Sequence, residues 1–211
     1  VVNRTTKLTN REITQMSREV GVDWDDLAAL INIPYREREE IRVDYGKYPS
    51  LLSKAEHVLK LFNDSECFDR TTLIKCLEEL KRHDLKSKML PMDGQSESEE
   101  VYTRAPATSQ PEISNVQLED DTPLSSREMY MLSRHLVDTW ETLAALLGIT
   151  LAERDDIRYR LLYTKSHSKV EKMLAIFNNM EDFSRQKLAE CLKEIGQSEL
   201  MEPVLTREWT R

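Results

Sequence analysis

The stretch "DWDDLAALINI", residues 23–33, returns 116 positions later as "TWETLAALLGI", residues 139–149. In the first copy Trp24, Leu27, Ala28 and Ile31 are spaced i, i+3, i+4, i+7, which puts one apolar stripe on one face of a helix. Trp140, Leu143, Ala144 and Leu147 repeat the stripe in the second. A residue that heads such a stripe faces a core, so Trp24 and Trp140 read as packing residues rather than binding handles. Asn32 and Gly148 close the two phrases, and these residue types most readily adopt the left-handed conformation that ends a helix.

The duplication extends well beyond this phrase. At the same offset Leu8, Arg11, Glu12, Ser17 and Ile41 meet Leu124, Arg127, Glu128, Ser133 and Ile157. One residue is then lost in a loop, and the offset becomes 115: "SKAEHVLKLF" meets "SKVEKMLAIF", and Phe68, Leu73 and Cys76 meet Phe183, Leu188 and Cys191. Such a period is too long for solenoid units and marks a duplicated domain. Further helical stripes run through Ile13, Met16, Ser17, Val20; through Ala55, Val58, Leu59, Phe62; and through Leu73, Cys76, Leu77, Leu80, each with a counterpart in the second copy. No stretch alternates as a strand does. Capping boxes are expected at Thr9…Glu12, Ser125…Glu128, Thr150…Glu153, Ser53…Glu56 and Ser168…Glu171. Pro34 is expected early in the third helix, Asp69 and Ser184 as caps of the fifth, and a short sixth helix near 84–90 and 198–204.

Between the copies lies 91–123, with four prolines, one basic residue and eight acidic ones. It reads as an acidic flexible linker whose ends would average about 30 Å apart. The expected organisation is an N-terminal tail 1–7, a first domain 8–90, the linker 91–123, a second domain 124–205 and a C-terminal tail 206–211. The linker supplies most of the net charge of −8, and each domain is dense in both signs but nearly neutral. That argues against nucleic-acid binding, which needs an excess of Lys and Arg. Apolar runs are too short to span a bilayer. The chain opens on Val without a signal segment and reads as a piece of something longer. Three cysteines, Cys67, Cys76 and Cys191, form no CxxC pair and no even framework, which fits a reducing, cytoplasmic setting and no zinc. Cys76 and Cys191 fall mid-stripe and read as small core residues. His57, His83, His135 and His167 have no histidine counterparts in the other copy and read as surface residues. No catalytic, metal or cofactor constellation is found.

Six short helices per copy, with Trp24, Leu27, Ala28, Ile33 and Glu56, Val58, Leu59, Phe62 in the first and Trp140, Leu143, Ala144, Gly148, Ile149 and Glu171, Met173, Leu174, Phe177 in the second, resemble the death domain of the death-fold superfamily. Phe62 and Phe177 stand where that family often has Trp, and Asn32 where it usually has Gly. The resemblance implies an all-α chain of two six-helix antiparallel bundles and no enzyme activity. It implies cytoplasmic signal transduction, as in apoptosis or innate immunity, by homotypic contact with other death-domain proteins or by self-oligomerisation. In such domains a patch on helices 2 and 3 meets a patch on helices 1 and 4 of a neighbour.

The third helix, "YREREEIRV" or "LAERDDIRY", has few apolar residues, and its repeated Arg pairs at i, i+4 disfavour an isolated helix. Internal pairing of Glu39 with Arg42 and of Asp155 with Arg158 would make it a plain solvated face. The resemblance favours a partner-binding face instead, made of Asp25, Asp26, Arg36, Arg38, Glu39, Glu40 and Arg42 in the first copy and Glu141, Arg154, Asp155, Asp156, Arg158 and Arg160 in the second. Asp25 and Asp26 become Glu141 and Thr142, so the copies are expected to bind different partners or opposite faces of one assembly. Ser96 and Ser98 in "SESEE" are candidate phosphosites. Three readings remain: an adaptor, a regulatory segment of a larger signalling enzyme or receptor, and a structural bundle without a partner.

Overall fold

The computed structural model describes residues 6–83, 85, 122–160, 163 and 165–210. Residues 91–121 of the linker expected at 91–123, with Ser96 and Ser98, and nearly all of the sixth helix expected at 84–90 lie outside the described residues. The first bundle contains α1 (Asn10–Val20), α2 (Trp24–Leu30), α3 (Tyr35–Val43), α4 (Leu51–Asp64) and α5 (Arg70–Glu79). The second contains α6 (Ser126–His135), α7 (Trp140–Leu146), α8 (Leu151–Tyr159), α9 (Ser166–Asn178), α10 (Arg185–Glu194) and α11 (Met201–Thr206), so α6 to α10 repeat α1 to α5. The expected all-helical class holds, with no strand among the described residues.

Each bundle closes around the stripes read from the sequence. Ile13, Leu27, Val58, Leu59 and Leu73 fill the first core, and Leu132, Leu143, Met173, Leu174 and Leu188 fill the second. Trp24 and Trp140 are buried, as are Cys76 and Cys191, while Cys67 is exposed. A long polar side chain secures the chain entry in both copies. Arg70 Nη1 donates to Glu12 Oε1 at 2.8 Å and Arg70 Nε to the Thr6 carbonyl; Arg185 Nη1 donates to Glu128 Oε1 at 2.7 Å and Arg185 Nε to the Thr122 carbonyl. Asn63 Oδ1 accepts from the Leu8 amide and Asn178 Oδ1 from the Leu124 amide. Buried amides need such partners, and side chains from α4 and α9 supply them.

The helix ends mostly follow the sequence. Capping boxes form at Thr9/Glu12, Ser125/Glu128 and Thr150/Glu153, and Asp69 and Ser184 cap α5 and α10. Asn32 and Gly148 have φ of 62° and 89°, so both phrases end in the left-handed turn. Three expectations need correction. Helix α4 starts a turn earlier than expected, with Ser50 as its cap and Ser53 as the reciprocal partner, so Ser53…Glu56 is not a box. Helix α9 starts at Ser166 after the uncapped Lys165, which leaves Ser168 and Glu171 inside it and Glu171 free for a tertiary role. Pro34 takes the cap position before α3 rather than its first turn. The sixth helix of the second copy is a 3₁₀ turn, Ser198–Leu200, running into α11.

Candidate functional site

The two copies of the opening helix differ in burial although their apolar stripes match. All seven residues of α2 are buried, whereas in α7 only Trp140, Leu143 and Ala144 are. The second bundle causes the difference: α6 lies on α2, so the outward side of α2 is covered as well. Tyr130 of α6 joins the first core and Tyr35 of α3 joins the second, an exchange of one aromatic in each direction.

Around this apolar contact stand the charged residues singled out in the sequence. Arg38 is fully buried. Its Nη1 donates to the Asp25 carbonyl and carboxylate at 3.2 and 3.3 Å, and its Nη2 crosses between bundles to the Glu171 carboxylate. Arg42 Nη2 pairs with the other oxygen of Asp25. Two guanidiniums and two carboxylates thus share one enclosed space with no net charge. Burial pushes the Glu171 carboxyl up against the pull of Arg38, and burial opposes the charge on Arg38 while Glu171 and Asp25 more than restore it.

Asp26 accepts from Lys165 Nζ at 2.7 Å and lies 3.0 Å from His167 Nε2. Burial works to raise its pKa, but those two partners outweigh burial and hold the carboxyl below the usual range. Glu39 accepts from Lys172 Nζ at 3.1 Å and from the Tyr163 hydroxyl at 2.9 Å, and its carboxyl is likewise held down by these partners against burial. At the far edge Arg127 Nη1 donates to the Leu30 carbonyl at 3.0 Å, answering the open end of α2, and Nη2 to Glu79 Oε1 at 2.6 Å.

The geometry corrects the picture of α3 as a solvated, internally paired face. Arg42 is not answered by Glu39 but by Asp25, and Glu39 turns to the second bundle. Arg36 and Glu40 remain exposed and pair with each other at 3.5 Å. In the second copy Arg158 does pair with Asp155, at 2.7 Å, and also with Glu141 at 2.5 Å. Arg160 lies 3.4 Å from Asp156, and all these groups reach solvent. Arg154 Nε has no hydrogen-bond partner. His57 and His167 are half-buried rather than surface residues, and His83 and His135 are exposed.

The side of the contact that sequence reasoning missed is the second bundle's: Arg127, Tyr130, Lys165, His167, Glu171 and Lys172. A signal existed in the differences between copies. Lys165 and His167 stand where the first copy has Ser50 and Leu52, and the acidic pair Asp25 and Asp26 has the matching sign.

Attraction and register have different sources here. Half-exposed ion pairs contribute about 0–1 kcal/mol each. Buried pairs roughly break even against an apolar replacement, yet are costly to break by removing one partner. The net attraction therefore comes from burying Tyr35, Tyr130, Ala29 and Leu30, while the charges select one orientation.

Two helical bundles that meet α2/α3 against α6/α9, the last two being the copies of helices 1 and 4, define a class of protein: a tandem of two like helical domains. The family scan agrees, with the death domain matched twice, at residues 11–92 and 126–207. The chain belongs to the death-domain family, whose members bind other death domains, and it carries that domain twice. Comparison with curated proteins and with solved structures gave no match.

Proposed function

We propose that the chain is a non-enzymatic cytoplasmic signalling adaptor that recruits or clusters partners by homotypic death-domain contact. The observation that carries this is the division of its charged faces. Asp26, Arg38 and Glu39 are paired with the second bundle and Asp25 and Arg42 with each other behind them, while Glu141, Asp155, Asp156, Arg158 and Arg160, on the matching face of that bundle, point outward. Arg36 and Glu40 border the inner contact and are also exposed. In this reading the inner face holds the tandem together, and the outer faces with their mixed charges meet partners. Electrostatic complementarity of that kind selects among partners more than it adds affinity.

The test is capture of purified death-domain proteins by the immobilised chain, compared with the double variant Asp156→Lys/Arg160→Glu. The variant is expected to lose capture while keeping its helical circular dichroism and melting temperature. Equal capture by the folded variant refutes the assignment of this face.

A further inference from the structure

We propose that the docked tandem holds a small amphipathic carboxylic acid in a cavity between its bundles, with the carboxylate at the start of α6 and the apolar body along α9. A cavity of about 790 Å³ lies at the rim of the bundle contact, where the α2–α3 turn, the chain entry to α6 and the C-terminal half of α9 converge. Small-molecule sites have volumes of roughly 300–1,000 Å³ and form preferentially between domains.

The polar end of the cavity is the start of α6, where Ser125 and Ser126 line it. Ser125 Oγ accepts from the Glu128 amide at 3.2 Å, which leaves the Ser126 and Arg127 amides without a partner among the described residues. Open amides at a helix start attract anions. Ser126 is a second and independent sign of a ligand. It is only 5 % exposed, it lines the cavity, and its hydroxyl makes no hydrogen bond among the described residues. Buried polar groups are normally paired, so a hydroxyl left unpaired on a cavity wall calls for an acceptor brought by a ligand. Arg36 of the first bundle lines the same cavity, and its pair with Glu40 at 3.5 Å is fully open to solvent and readily exchanged.

Charge sets the class of acid. Glu39 and Glu153 also line the cavity, but both are already answered. Glu39 accepts from Lys172 Nζ at 3.1 Å and from the Tyr163 hydroxyl at 2.9 Å, and Glu153 from the Thr150 amide at 2.9 Å and hydroxyl at 2.7 Å. One guanidinium, two amides and one hydroxyl are then left to receive a single negative charge. A phosphate dianion would face both carboxylates without a second cation to offset it. The remaining lining is largely apolar, with Pro34 and Tyr35 from the first bundle and Met129, Ile176 and Met180 from the second. Burial of a hydrocarbon body against these side chains supplies the attraction, and the helix start fixes its direction.

Because the lining comes from both bundles, the site exists only while they are docked. A ligand that binds the docked form alone stabilises it by mass action. The cavity thereby ties the state of the tandem to the supply of such an acid.

The test is isothermal titration calorimetry of the full chain with decanoate, kept below the concentration at which it forms micelles. Saturable binding is expected, with decanol, which keeps the hydrocarbon and lacks the charge, at least tenfold weaker and inorganic phosphate unable to compete. Arg36→Glu in the first bundle and Ile176→Trp, which fills the cavity from the second, should each weaken decanoate at least tenfold with circular dichroism unchanged. Ser126→Ala removes only the hydroxyl and should weaken decanoate several-fold while leaving decanol unaltered. Arg36 is exposed, so its variant keeps the test decisive should Ile176→Trp disturb α9. The proposal is overturned by a wild type that takes up no decanoate, by decanol or phosphate binding as tightly as decanoate, or by undiminished binding in Arg36→Glu or Ser126→Ala.

Discussion

Arg38 of α3 and Glu171 of α9 lie 133 positions apart and form an ion pair in which both side chains are almost wholly excluded from solvent. Removing the guanidinium leaves the carboxylate buried without its partner, a loss of about 3–5 kcal/mol. Arg38→Met is therefore expected to separate the two bundles without unfolding either. Small-angle scattering should show a larger maximum dimension for the variant, with circular dichroism unchanged.

Asp26 makes a different kind of contact, because Lys165 and His167 are both partly open to water. Asp26→Asn should weaken docking by only about 1 kcal/mol, since the freed Lys165 and His167 side chains can be solvated. This part of the contact should also respond to salt, which screens exposed pairs more than buried ones. The difference between Asp26→Asn and wild type should shrink as ionic strength rises, whereas the Arg38→Met effect should persist.

Glu12 carries a predicted acid sensitivity. Its hydrogen bond to Arg70 and those to Thr9 pull its pKa from 4.5 to about 2 against burial. A folded-state value below the unfolded one stabilises the native state above pH 4.5, and that contribution is lost as pH falls from 4.5 towards 2. Glu12→Gln should therefore lower the melting temperature at neutral pH and flatten its decline over the same acid window. An unaltered acid profile in the variant would show that the clamp is not titrating.

Gly148 ends α7 at φ 89° with a Met180 methyl 3.7 Å from where a Cβ would stand. Space is adequate, so the backbone sets the cost. Gly148→Asn should be tolerated, as Asn32 is in the first copy at φ 62°. Gly148→Val should lose about 1–2 kcal/mol in chemical denaturation, the penalty of the left-handed region.

Trp24 and Trp140 are expected to be equivalent in the cores but not in the whole chain. Cutting either to Ala should cost about 3–5 kcal/mol within its own bundle. Trp24→Ala should in addition loosen docking, because α2 packs against α6 while α7 has no such cover. Thermal unfolding combined with scattering would separate the two effects.

The bundles themselves were legible because their information is local. A stripe at i, i+3, i+4, i+7, a hydroxyl followed three residues on by Glu, and an Asn or Gly at a helix end each act within a turn or two. The misplaced starts of α4 and α9 have a plain cause: Ser53 and Ser168 fit the box pattern, but chain entry at Ser50 and Lys165 lengthened the helices and released Glu171 to the neighbouring bundle.

The charged face was legible only in outline. The sequence singled out Asp25, Asp26, Arg38, Glu39 and Arg42, and proposed Glu39 as the internal answer to Arg42; the structure turned Glu39 outward to Lys172 and gave Arg42 to Asp25.

By itself, the sequence determined two copies of one helical scaffold, their cores and most of their caps, because periodicity and capping are short-range and appear twice. Only the tertiary structure decided that the copies dock, which face of each is consumed and which is left outward. That choice depends on side chains 48 to 141 positions apart meeting with matched charge and shape, as Arg127 meets Glu79 and His167 meets Asp26, and no local pattern carries such a pairing.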